Sequence, residues 1–149
     1  MPVTQLTYLS RNARAGDATA LDEQIGQILA VSRRNNARDG LTGYLVSDGT
    51  WFLQILEGDG DRVGAALARI RDDERHSEVR VISSRQIRMR SFPQWSMGGS
   101  LKTPPMRAIF RRHALERIDP ATLTAPAILL LMMDLQDFER AQEAARRAG

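Results

Sequence analysis

An α+β fold, with two helices on one face of an antiparallel sheet, is predicted by three observations on this 149-residue chain. The spacing of apolar residues switches between a strand period and a helix period, giving the element order β-α-β-β-α-β. Asp48-Gly49 stands between two apolar runs, a strong short-range sign of a hairpin. WFLQILEG, residues 51–58, reads as a strand buried on both faces, with one uncharged amide, Gln54, at its middle. This order is that of the ferredoxin-like split βαβ arrangement.

The elements follow in turn. VTQLTYLS, residues 3–10, alternates as a strand and leads into a loop containing Gly16. Asp17 or Thr19 can cap a helix in which Leu21, Ile25, Ile28 and Leu29 recur on one face, ending near Arg33 or Arg34. RNNARDG then reads as a turn-rich exit, and LTGYLVSDGTWFLQILEG as the two strands of the hairpin, at the centre of the sheet. Asp61 is the expected cap of a second helix with Val63, Leu67 and Ile70 on one face. VRVISSRQI is a fourth strand, and RSFPQWSMGGS, with Pro93, an edge strand or loop. Thr103-Pro104-Pro105 starts a helix that places Met106, Ile109, Phe110 and His113 on one face. RIDPAT breaks it, and a last helix from about residue 124 carries Leu130, Met133 and Phe138. These two helices are too apolar for a free tail and are expected to pack on the open sheet face or on a second subunit. The expected organisation is one compact domain, with a core over residues 1–98 and a helical extension over 99–149 within it.

Composition narrows the function. Hydrophobic residues make up 42% and charged residues 26%, within the range of soluble globular proteins. MPVTQLTYLS lacks the pattern of a signal peptide, and APAILLLMM is far too short to span a bilayer, so a cytoplasmic protein without membrane contact is expected. The absence of cysteine excludes disulfides, thiol catalysis and thiolate metal sites. His76 and His113 have no ligand spacing around them, and no metal site is expected. The net charge is +3, with Lys102 the sole lysine; this reads as an arginine-rich composition rather than a nucleic-acid surface.

Several residues invite a chemical reading. Gln54, on a buried strand, needs partners for both ends of its amide. Asn35 and Asn36 exceed what one helix exit requires. Arg69 lies beside the buried stripe of its helix, where a guanidinium can turn inward, whereas Arg75 reads as a solvated surface residue. Tyr8 and Trp95 are aromatic residues with a polar handle. No carboxylate pair, nucleophile-base pair or phosphate-cradling glycine motif stands out, since GDGDRVG lacks the order of a dinucleotide fingerprint.

Taken together, LTYLS, SRRNNARDGLTGYL, WFLQILEG, ARIRDDERH and WSM, between residues 3 and 98, resemble the BLUF family of flavin-based blue-light sensors. The resemblance implies a flavin, FAD in this family, held between the two helices of the ferredoxin-like sheet. It matches the photoactive tyrosine to Tyr8 and the switching glutamine to Gln54. It matches the flavin-holding asparagine to Asn36, with Asn35 beside it, the arginine at the ring's carbonyl edge to Arg69, and the apolar residues sandwiching the ring to Ile28 and Ile70. His76 is counted with the flavin-binding residues, and Trp95 and Met97 match the tryptophan and methionine of the last strand. Arg33, Arg34 or Arg75 would meet the phosphates. The implied activity is photochemical, not enzymatic. Blue light drives electron and proton movement from Tyr8, Gln54 changes its hydrogen bonding, and the signal leaves through the Trp95/Met97 strand and the terminal helices. A short stand-alone sensor, acting as a homodimer or larger assembly on a separate protein effector, is expected. Two other readings share parts of the pattern: an acylphosphatase-type hydrolase of the same architecture, and a nucleic-acid-binding module using RAIFRRHALERI.

Overall fold

The computed structural model describes residues 2–13, 23, 27, 30, 34–93, 99–100 and 104–148. The first strand, β1, spans Val3–Asn12, and residues 34–39 are helical and are labelled α1. Then come β2, Thr42–Ser47, β3, Trp51–Gly58, and the helix α2, Gly60–Asp72. β4, His76–Ile87, is followed by the two-residue strand β5, Gly99–Ser100, and by α3, Pro104–Arg112, and α4, Ala125–Ala148. The sheet order is β4-β1-β3-β2-β5, antiparallel throughout except that β5 pairs parallel to β2. The first four strands are thus those of the expected ferredoxin-like sheet, with a short fifth strand added at the β2 edge.

Both faces of this sheet are covered, which accounts for the continuous apolar character of β3. On one face Leu6, Phe52, Leu45 and Leu56 pack with Val63 and Ala66 of α2. On the other, Leu9, Tyr44, Val46, Leu53 and Ile55 pack with Phe110 of α3 and with Ile128, Leu131, Met132 and Leu135 of α4. Strand residues alternate between the two cores because successive side chains point to opposite faces. Of the two packing arrangements open to the terminal helices, the chain adopts the one on its own sheet. α4 turns Ile128, Leu131, Met132 and Leu135 inward, while Leu130 is 58% and Met133 37% exposed.

Local chemistry sets the boundaries. β2 turns into β3 through Asp48, whose Oδ1 accepts the N–H groups of Thr50 and Trp51 at 2.9 Å each. Gly43 is required by close packing, since a Cβ there would collide with the Ile55 carbonyl of β3. Two helix limits differ from those read in the sequence. α2 is capped by Asp59, whose side chain accepts the Arg62 N–H, and Asp61 sits in the first turn, where its charge faces the positive end of the helix dipole. The exit of α1 is at Gly40, not at Arg33 or Arg34. Gly40 takes a left-handed φ of 67°, while the N–H of Leu41 reaches the Asn36 carbonyl at 2.8 Å and that of Gly40 the Ala37 carbonyl. These are the paired bonds of a Schellman motif, so Asn35 and Asn36 lie inside the helix rather than at its cap. β4 also begins earlier than expected, because His76 pairs with Asn12 at the end of β1.

Candidate functional site

The register of the two central strands builds the site. Tyr8 on β1 and Gln54 on β3 are direct cross-strand neighbours, which puts both side chains on the face covered by α2. Tyr8 Oη donates a hydrogen bond to Gln54 Oε1, and both residues are buried. Burial, reinforced by the charge of Asp73, holds the Tyr8 phenol well above its ordinary pKa, so it remains a donor across the neutral range. These two residues form the floor of a cleft with about 460 Å³ of empty space, including its mouth.

Around this floor stand Asn35 and Asn36 from α1, Ala66, Arg69 and Ile70 from α2, Leu56 from β3, and Asp73, Arg75 and His76 beyond the end of α2. Asn36 is only 4% exposed, yet its carboxamide makes no hydrogen bond to any described residue. Because Asn36 lies within the helix, no capping duty accounts for this amide. Arg69 donates through Nη2 to Asp39 Oδ2 at 3.0 Å, and Arg38 and Arg69 together lower the Asp39 pKa. Arg75, expected at the solvated surface, instead grips Asp73 with Nε and Nη2, the latter at 2.6 Å, and its backbone N–H bonds the same carboxylate. Burial opposes ionisation of Asp73, but these Arg75 contacts outweigh it and the pKa falls.

His76 is buried beside the cleft, with Nδ1 2.8 Å from Ser10 Oγ and its ring 5.1 Å from that of Phe52. Desolvation lowers its pKa to about 4 against the pull of Asp73, and Arg75 adds to the lowering. The imidazole is therefore neutral at pH 7.

The structure thus gathers Tyr8, Gln54, Asn35, Asn36, Arg69, Ile70 and His76 at one cleft. Ile28, Trp95 and Met97, expected at the same site, lie outside the described residues. Asp39 and Asp73 were not anticipated. The Asp-Glu-Arg spacing of residues 73–75 could have signalled an aspartate folding back on the chain after a helix. Nothing in the sequence pairs Asp39 with Arg69, because folding alone brings α1 and α2 together. Chemically, Leu56, Ala66 and Ile70 offer apolar surface, while Asn36, Gln54 and the arginines offer amide and guanidinium groups. That combination suits a flat heteroaromatic ring with a polar edge.

Known proteins bear on this arrangement. Residues 3–98 match the family model described as BLUF, sensors of blue-light using FAD. The beta subunit of photoactivated adenylate cyclase from Euglena gracilis is 30% identical over 132 residues, which cover 81% of this chain and 15% of that protein. The corresponding subunit from Euglena longa is 29% identical over the same length. This chain therefore matches a small part of these curated relatives. The dark-state structure of BlrB, a BLUF protein, superposes with a TM-score of 0.72 at 30% identity, over 89% of this chain and 96% of that one. BlsA in its photo-activated state gives a TM-score of 0.73 over 89% of this chain and 94% of its own, at 23% identity, a likeness of fold. The chain belongs to the BLUF family, the sensors of blue light using FAD.

Proposed function

We propose that this chain is a blue-light photoreceptor that holds FAD non-covalently in the cleft above Tyr8 and Gln54, and that it signals to an effector protein without itself transforming a substrate. The observation that carries the reading is the Tyr8–Gln54 hydrogen bond on paired central strands, beside a buried Asn36 amide with no partner among the described residues. Asn36, Asn35 and Arg69 would meet the polar edge of the ring, Ile70 one of its faces, and His76 the rim. When bound, FAD supplies the absorption of blue light and an acceptor for electrons.

Each residue then has a task set by its surroundings. Tyr8 is held as a neutral phenol against Gln54, so it is the group placed to give up and recover a proton. Gln54 has a donor end and an acceptor end on one side chain, so two hydrogen-bonding arrangements can lie close in energy. A glutamate there would introduce charge, and a leucine could not bond at all. The relatives named as photoactivated adenylate cyclases supply the precedent for coupling to an effector. In this chain the output is read as passing from the segment after Phe92, which contains Trp95 and Met97, to α3 and α4, with a homodimer or larger homo-oligomer as the working assembly.

Purified protein is expected to be yellow, with an oxidised-flavin spectrum that shifts to the red under blue light and recovers in darkness. Tyr8→Phe and Gln54→Leu proteins should stay yellow and lose the reversible shift. Colourless protein that takes up no added FAD would overturn the reading, and a full shift in Tyr8→Phe would overturn the assigned roles.

A further inference from the structure

On the opposite face of the sheet from the flavin cleft, a second cleft of about 260 Å³, open to solvent beside Arg85 and Pro126, lies between β1, β4 and the first turn of α4. Its floor is polar: Gln5 and Thr7 of β1 stand directly across from Arg85 and Ser83 of β4. Its roof is apolar, made by Ala125, Pro126 and Leu129 of α4. Thr7 is 3% exposed, lines this cleft, and its hydroxyl has no hydrogen-bond partner among the described residues. Arg85, itself exposed, donates Nε to Gln5 Oε1 at 2.9 Å, which braces the guanidinium from one side and leaves its two terminal nitrogens without a carboxylate among the described residues. Gln5 is anchored in turn, its Nε2 donating to Glu57 Oε2 at 2.8 Å. A buried hydroxyl without a partner is costly, and a braced guanidinium with a free pair of donors matches a planar carboxylate.

We propose that this cleft is a second binding site, taking a small organic carboxylate. Its charged end meets Arg85 and the Thr7 and Ser83 hydroxyls, and its apolar body lies under Pro126 and Leu129. A phosphate dianion is the poorer match: a single guanidinium faces its two charges, and the roof is apolar. Glu57 itself does not compete for Arg85, since its oxygens accept from Gln5, Ser91 and Phe92. The site does not depend on the flavin reading, because it uses the other face of the sheet.

Benzoate is the probe, titrated calorimetrically into the full chain kept in darkness, with benzamide as its uncharged counterpart. Saturable binding of benzoate is expected, at least tenfold weaker for benzamide and for Arg85→Met, and severalfold weaker for Thr7→Val, which keeps the side-chain shape and removes the hydroxyl. Thermal melting of each variant checks the fold; if Arg85→Met does not fold, Thr7→Val and Ser83→Ala carry the test. Heats that do not saturate, equal affinity for benzamide, or undiminished affinity in the folded variants would overturn the proposal.

Discussion

Gln54 shows how much a single position can say. Alone it reads as a buried amide in need of partners; the family resemblance set it beside Tyr8, and the β1–β3 register makes the two cross-strand neighbours. His76 was counted at the site through the resemblance alone; what buries it is the pairing with Asn12, which draws it under Phe52 and next to Ser10. That burial has a measurable consequence. The folded-state pKa of His76, about 4, lies below the ordinary value of 6.5, so the unfolded chain binds a proton that the folded chain refuses between those two values. Stability should be intact above pH 6.5 and fall as the pH drops toward 4, by up to about 3 kcal/mol at roughly 1.4 kcal/mol per pKa unit. Asp73 and Asp39, whose pKa values are lowered, lose their contribution in a separate, more acidic window below 3.8. Urea unfolding at a series of pH values should show the higher window in the parent and not in His76→Asn. Equal slopes in the two proteins between pH 6.5 and 4 would contradict this account.

At the level of elements, strands and helices were legible and their ends were not. RNNARDG contains residues common in turns, yet α1 runs through both asparagines and stops at Gly40, where a left-handed backbone closes the Schellman bonds. Two aspartates at the start of α2 compete as caps, and side-chain geometry rather than composition chooses Asp59. The connection from β3 to α4 was invisible for a different reason, since it runs through hydrogen bonds between segments distant in sequence. Glu57, fully buried, accepts the backbone N–H of Ser91 at 3.0 Å and of Phe92 at 2.7 Å, while Gln136 of α4 donates to the Ser91 carbonyl at 3.2 Å. This latch joins the strand carrying Gln54 to the helix proposed for output. Glu57→Gln leaves one oxygen for three donors and turns an NH2 group toward one of them, a conflict costing on the order of 1–3 kcal/mol. Hydrogen exchange should be faster at residues 91–93 and in the middle of α4 in this variant. Its light-induced spectral shift should persist, because the cleft face of β3 is untouched. A lost spectral shift with unchanged exchange at 91–93 would place Glu57 in the photochemistry instead.

Across the whole molecule, three layers follow from one sheet with two apolar faces, α2 packing on one and α3 and α4 on the other. The sequence pattern left the terminal helices free to cover either this sheet or another subunit. What decides is the number of apolar side chains that β1, β2 and β3 present to the far face: Leu9, Tyr44, Val46, Leu53 and Ile55 would all meet water without α3 and α4. Polar ties then fix the placement, with Tyr44 Oη donating to Glu139 Oε1 at 2.7 Å and His113 Nε2 lying 2.6 Å from Asp134 Oδ2. If α4 is part of the domain core, removing one of its buried side chains must weaken the global unfolding transition. Leu131→Ala is expected to cost about 2–5 kcal/mol by leaving a cavity against the sheet. Leu130→Ala, its exposed neighbour, should stay within about 0.5 kcal/mol. Denaturant curves followed by flavin absorbance and by circular dichroism should shift together in Leu131→Ala, since both cores share β3. Two separated transitions, with the flavin signal unmoved, would show instead that the terminal helices melt alone and that the sensor core stands without them.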